Sequence, residues 1–158
     1  IIWIINNAAN FNGNKENIVI SGHSAGAHLA SLMLSTNWKK YGFAANPLKG
    51  VALISGIYET EIIPSLTVNN EIQLSYEEAS NNNPFKLEPK FIIPTIISFG
   101  DDEPELWKAQ SIKYMKYLNL NGYNCKKIVC KDDNHFSLID TLADYNHLLV
   151  KEIINLSF

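Results

Sequence analysis

The chain moves between two hydrophobic rhythms. Short apolar, β-branched runs at 17–21, 50–55, 94–100 and 123–130 predict strands, and Gly50-Val-Ala-Leu-Ile-Ser55 is continuously apolar, as a strand buried on both faces requires. Between them, apolar residues recur every three or four positions and predict helices over 24–37, 105–121 and 137–155. Leu106, Ile112, Met115 and Leu118 form one apolar stripe, and Leu142, Leu148, Leu149, Ile153 and Ile154 another. Residues 1–10 read as the end of a helix, 11–14 as a turn, and 41–47 as a loop.

Residues 57–90 break the rhythm. They carry Pro64, Pro84, Pro89 and an Asn81-Asn82-Asn83 tract, with only a short helical pattern at 71–79. Such an irregular excursion is expected to cover a site like a lid. Strands alternating with helices imply a parallel, doubly wound sheet, whose sites form at the carboxyl ends of its strands.

Composition narrows the picture. The 158 residues amount to a single domain spanning 1–158, and 46% apolar content suffices for a buried core. A net charge of −3 leaves no basic footprint for nucleic acid. No run of 18 apolar residues suggests a membrane span, so the expected partner is a small-molecule substrate. Cys125 and Cys130 lie an odd spacing apart in a predicted strand, hence on opposite faces. They predict neither a disulfide framework nor a zinc site, and they favour a reducing, cytoplasmic compartment. The opening Ile-Ile-Trp-Ile-Ile has no cap, turn or signal-peptide character, and predicts a chain that starts inside a domain.

The chemistry gathers at three predicted strand ends. Gly22-His23-Ser24-Ala25-Gly26 fits Gly-x-Ser-x-Gly between a strand and a helix, the setting of a nucleophile elbow. Small residues are expected on both sides of Ser24, and the helix N-terminus points its free N–H groups at the serine. Asp101-Asp102-Glu103 follows the third strand, and only one of these carboxylates can meet a base. His135 follows the fourth strand in a polar loop. Of the other histidines, His23 leaves the elbow in another direction, His28 lies one helical turn beyond Ser24, and His147 sits in the last helix. A serine needs a base, and the base needs a carboxylate to hold its tautomer. The chain order serine, acid, histidine is that of the α/β-hydrolase architecture.

Gly-His-Ser-Ala-Gly-Ala-His-Leu-Ala at 22–30, Ile-Ser-Gly-Ile-Tyr at 54–58, Gly100 to Glu103 with Trp107 and Gln110-Ser111, and His135-Phe136-Ser137 together resemble the kynurenine formamidase branch of the α/β-hydrolases. The resemblance implies a three-layer α/β sandwich with a mostly parallel sheet, here lacking the first strands. It implies Ser24 as nucleophile, His135 as base and Glu103 as acid, with Asp102 as the alternative. It also implies hydrolysis of N-formylkynurenine to kynurenine and formate without metal or organic cofactor. His23, Tyr58, Trp107 and Phe136 are candidates for an aromatic substrate pocket, although ordinary core packing would equally account for the aromatic residues. A carboxylesterase on small esters, or a non-catalytic remnant of the fold, would carry the same motifs. The family's upstream His-Gly-Gly type motif, which supplies an oxyanion donor, has no counterpart in this sequence, so the resemblance leaves only the donor that the Ala25 N–H would provide. An isolated chain is therefore expected to be poorly soluble and nearly inactive, with an unpaired apolar edge along its first strand.

Overall fold

The computed structural model describes all 158 residues. Four strands, β1 (Ile18–His23), β2 (Leu48–Ile54), β3 (Thr95–Gly100) and β4 (Lys126–Cys130), form one parallel sheet in the order β1-β2-β3-β4. In register, Leu53 lies between Gly22 and Ile97, and Phe99 beside Val129.

Alternation along the strands splits the core into two layers. Val51 and Leu53 of β2 and Ile97 of β3 face helices α2 (Ala25–Ser35) and α5 (Glu105–Leu120), where Ala27, Leu34, Tyr114 and Leu118 are fully buried. Ala52, Ile54, Ile96 and Ile128 face the other way, against Leu138 of α6 (Ser137–Asp140) and Leu149 of α7 (Leu148–Asn155). Helices on both faces of a parallel sheet give the three-layer α/β-hydrolase arrangement. Cys125 packs against the first layer and Cys130 within the second, so the two thiols lie on opposite faces, and both are free. No helix is long and apolar enough to cross a membrane.

Helix α1 (Ile2–Asn7) continues as a 3-10 turn to Phe11, and Ile5 packs with Ile18, Trp38 and Leu48 at the amino end of the sheet. Strand β1 is an edge strand. Beyond it, Trp3, Ile20, Leu29, Met33 and Trp38 line a cavity of about 590 Å³.

Two expected helices are divided. In place of one helix over 71–79 stand α3 (Asn69–Ile72) and α4 (Tyr76–Asn81). Gln73 takes a left-handed backbone at φ 56°, and Ser75 restarts the helix with a capping box to Glu78. The expected final helix breaks between α6, with its 3-10 extension Thr141–Ala143, and α7. Asp144 turns the chain, and His147 Nδ1 accepts from the Leu149 N–H to begin α7. Local polar caps override an apolar periodicity that runs through both breaks.

Candidate active site

The site is assembled at the carboxyl ends of all four strands. Ser24 lies between β1 and α2 at φ 56° and ψ −120°, a conformation that a non-glycine residue adopts only under constraint. Its N–H donates to the Ile54 carbonyl at 3.0 Å, which carries the β1–β2 ladder one residue past the strand. Its carbonyl accepts from Ala27 and His28 N–H, both at 3.1 Å, which opens the helix. The Ala25 and Gly26 amides, in the first turn of α2, have no earlier helical carbonyl to serve.

The two motif glycines differ in what they permit. A Cβ on Gly22 would lie 2.7 Å from the Ala27 nitrogen and nearer still to the Gly26 carbonyl, so strand and helix touch backbone to backbone here. A Cβ on Gly26 would meet nothing within 4 Å. The expectation that both positions must be small holds for Gly22 and fails for Gly26, whose Cβ direction is open.

Glu103 is the carboxylate brought inward. It is 3% exposed, its Oε1 accepts the Gly100 N–H at 2.9 Å, and its Oε2 faces His135 Nδ1 at 3.4 Å. Asp102 is exposed, while Asp101 Oδ1 accepts from the Asp132 N–H at 2.6 Å and braces the next loop. That loop packs so closely on β3 that a Cβ on Gly100 would overlap the Asp133 carbonyl.

His135 is held between these groups. Its Nε2 lies 3.1 Å from Ser24 Oγ and its Nδ1 2.9 Å from Ser55 Oγ. Ser55, just after β2, also donates its hydroxyl to Glu103 Oε2. The backbone around His135 is fixed by Asn134, whose Oδ1 accepts from the Phe136 and Ser137 N–H at 2.8 and 3.0 Å.

Aromatic groups box the imidazole. Trp107 meets it edge to face at a centroid distance of 4.0 Å, and exposed Phe136 does so at 5.5 Å. His23 packs against it at 4.4 Å, nearer than the expected divergence from the elbow implied. Burial, and then the charge His135 can carry, lowers the His23 pKa from 6.5. Tyr58 corrects the reading of it as a pocket wall. It is fully buried and stacked on Tyr114 at 4.3 Å, because the Gln110 side chain accepts the Tyr58 and Glu59 N–H and draws the loop onto α5. His28 Nε2 bonds the Asn82 carbonyl at 2.8 Å and ties α2 to the 57–90 excursion, away from the reacting centre.

Cys130, Asp133 and His147 place one donor atom each within 4.8 Å of one another, yet each is engaged structurally. Cys130 contacts Ser98, Asp133 accepts from Ser137, and His147 caps α7.

Ser55 escaped the sequence reading except as part of Ile-Ser-Gly-Ile-Tyr. A signal was available, since Ser55 is a polar residue at the carboxyl end of a buried apolar run, the criterion that singled out the other three positions.

A family model described as BD-FAE matches residues 1–83, more than half of the chain. A kynurenine formamidase from Danio rerio is 34% identical over 145 residues, which is 88% of this chain and 49% of that protein. One from Salmo salar is 30% identical over the same shares. The chain thus spans about half the length of the curated relatives it matches. Among solved structures, a Pyrobaculum calidifontis esterase superposes with a TM-score of 0.73 at 13% identity, over 99% of this chain and 57% of that one. Esterase B from Lactobacillus rhamnosis gives 0.69 at 15% identity, over 98% and 57%. These structural likenesses concern the α/β-hydrolase fold.

Proposed function

We propose that this chain, which belongs to the BD-FAE family, carries the catalytic machinery of a serine hydrolase that cleaves the formamide of N-formylkynurenine. The observation that carries the reading is the unbroken line of contacts from Ser24 Oγ through the His135 ring to Ser55 and Glu103. Three of these residues are nearly excluded from water, and all four come from different strand ends. Names of relatives over 88% of the chain supply the substrate class.

In this reading His135 Nε2 takes the Ser24 proton as Oγ attacks the formyl carbonyl. The Ala25 N–H stabilises the oxyanion from the helix N-terminus, where the dipole favours negative charge. His135 then returns the proton to the departing aniline nitrogen, and water attacks the formyl-serine through the same base. Trp107 and Phe136 lie beside His135, and in this reading they flank the departing aromatic amine. That the structural neighbours include esterases favours a second reading, a carboxylesterase on small esters.

The test compares kcat/KM of the intact protein for N-formylkynurenine and for a short-chain nitrophenyl ester, with Ser24→Ala as control. Preference for the formamide, abolished in Ser24→Ala, is expected. Turnover of the ester alone would replace the formamidase reading with the esterase one. Undiminished turnover by Ser24→Ala would remove both.

A further inference from the structure

We infer that Ser55 is a positioning residue through which Glu103 acts on His135, an inference that rests on the serine-hydrolase reading above. A serine hydroxyl has one proton to give and two lone pairs to receive. The Ser55 proton goes to Glu103 Oε2, so the contact with His135 at 2.9 Å must be Nδ1–H donating to Ser55 Oγ. The direct path from Nδ1 to Glu103 Oε2 is longer, at 3.4 Å, near the limit of a hydrogen bond.

Glu103 is poorly placed to close that gap. Its Oε1 is held by the Gly100 N–H at the end of β3, and its Oε2 by Ser55. Swinging toward His135 would break one of these bonds in a setting where Ser55 and Glu103 are each 3% exposed and His135 8%. Water cannot readily replace what is lost there, so each bond counts for more than at the surface.

The backbone supports the same assignment. Ser55 has φ 47°, in the left-handed region that favours glycine. Its N–H donates to the Ser98 carbonyl at 2.7 Å, which holds the residue to β3 in that conformation. A side chain thus stands where the backbone prefers none, and its hydroxyl gives its proton to one member of the site and accepts from another.

The consequence is tautomer control. With Nδ1–H committed to Ser55, the Nε2 lone pair faces Ser24. When His135 takes the Ser24 proton, the Nδ1–H, Ser55 and Glu103 chain steadies the imidazolium while each of those protons stays on its own atom.

The experiment is nitrogen NMR of the intact protein labelled at histidine, with the His135 signal assigned by its loss in His135→Gln, read beside steady-state kinetics. Parent protein is expected to show Nδ1 protonated and Nε2 bare. Ser55→Gly suits the backbone and deletes the hydroxyl, whereas Ser55→Ala deletes it while keeping Cβ. Both are expected to show a mixed tautomer population, with kcat falling about 10- to 100-fold and KM changing less than about threefold, the scale of a lost hydrogen bond to a charged chain. Unchanged tautomer in the folded variants would overturn the inference, whatever the rate, since the carboxylate would then act directly. If neither variant folds, the Nδ1 proton of the parent decides: a shift typical of donation to a neutral hydroxyl supports Ser55 as acceptor, whereas the far-downfield shift of a proton shared with a carboxylate, or a proton on Nε2 instead, overturns it. Failure of the hydrolase reading would show separately, as turnover surviving Ser24→Ala.

Discussion

Replacing Gly22 by alanine tests the elbow more sharply than any change to the reacting groups. The added Cβ would lie 2.7 Å from the Ala27 nitrogen, where ordinary contact begins near 3.4 Å, and nearer still to the Gly26 carbonyl. Both obstacles are backbone in the first turn of α2, so no side-chain rotation relieves them. Strand and helix must part by about 1 Å, and we expect a loss of about 3 kcal/mol, the upper end of overpacking penalties. For a domain of this size that lowers Tm by roughly 6–12 °C. The same shift carries Ser24 Oγ away from His135 Nε2, and a displacement of about 1 Å costs on the order of 100-fold in kcat/KM. Gly26→Ala is the matched control. Its Cβ meets nothing within 4 Å, and alanine in a helix is favoured over glycine by about 0.5–1 kcal/mol. Scanning calorimetry and formamide kinetics on the two variants decide the matter. A Gly22→Ala protein with Tm and kcat/KM within error of the parent would refute the claim that backbone contact sets the elbow.

Two further outcomes follow from buried polar groups. The His23 pKa is lowered from 6.5, chiefly by burial, so the native state resists a proton that the unfolded chain accepts. Its contribution to stability is complete above pH 6.5 and is lost as pH falls through the native value, and urea midpoints should therefore decline on acidification and decline less in His23→Leu; equal slopes would discount the group. The Tyr58 hydroxyl is buried with no hydrogen-bond partner, so Tyr58→Phe should raise Tm by about 2–4 °C, as removal of an unpaired buried polar group worth about 1 kcal/mol implies, whereas a fall would reveal a partner for the hydroxyl.

The strand–helix alternation, and with it the parallel sheet, is legible in the residue pattern, because strand and helix periodicities are local and strong here. So is the place where polar residues gather, since each strand end follows a recognisable apolar run, and Ser24, the carboxylates at 101–103 and His135 fall there. The breaks at Gln73 and at 144–147 were less legible, because capping bonds of a few atoms competed with an unbroken apolar pattern. Which of Asp101, Asp102 and Glu103 turns inward toward His135 is set by the tertiary fold, since adjacent carboxylates differ in direction and burial rather than in type. The fold sends Tyr58 into the core, frees Gly26 from the constraint on Gly22, and places Ser55 between Glu103 and His135. The placement of Ser55 depends on residues far apart in the chain, 48 positions away at Glu103 and 80 at His135, which no local pattern encodes.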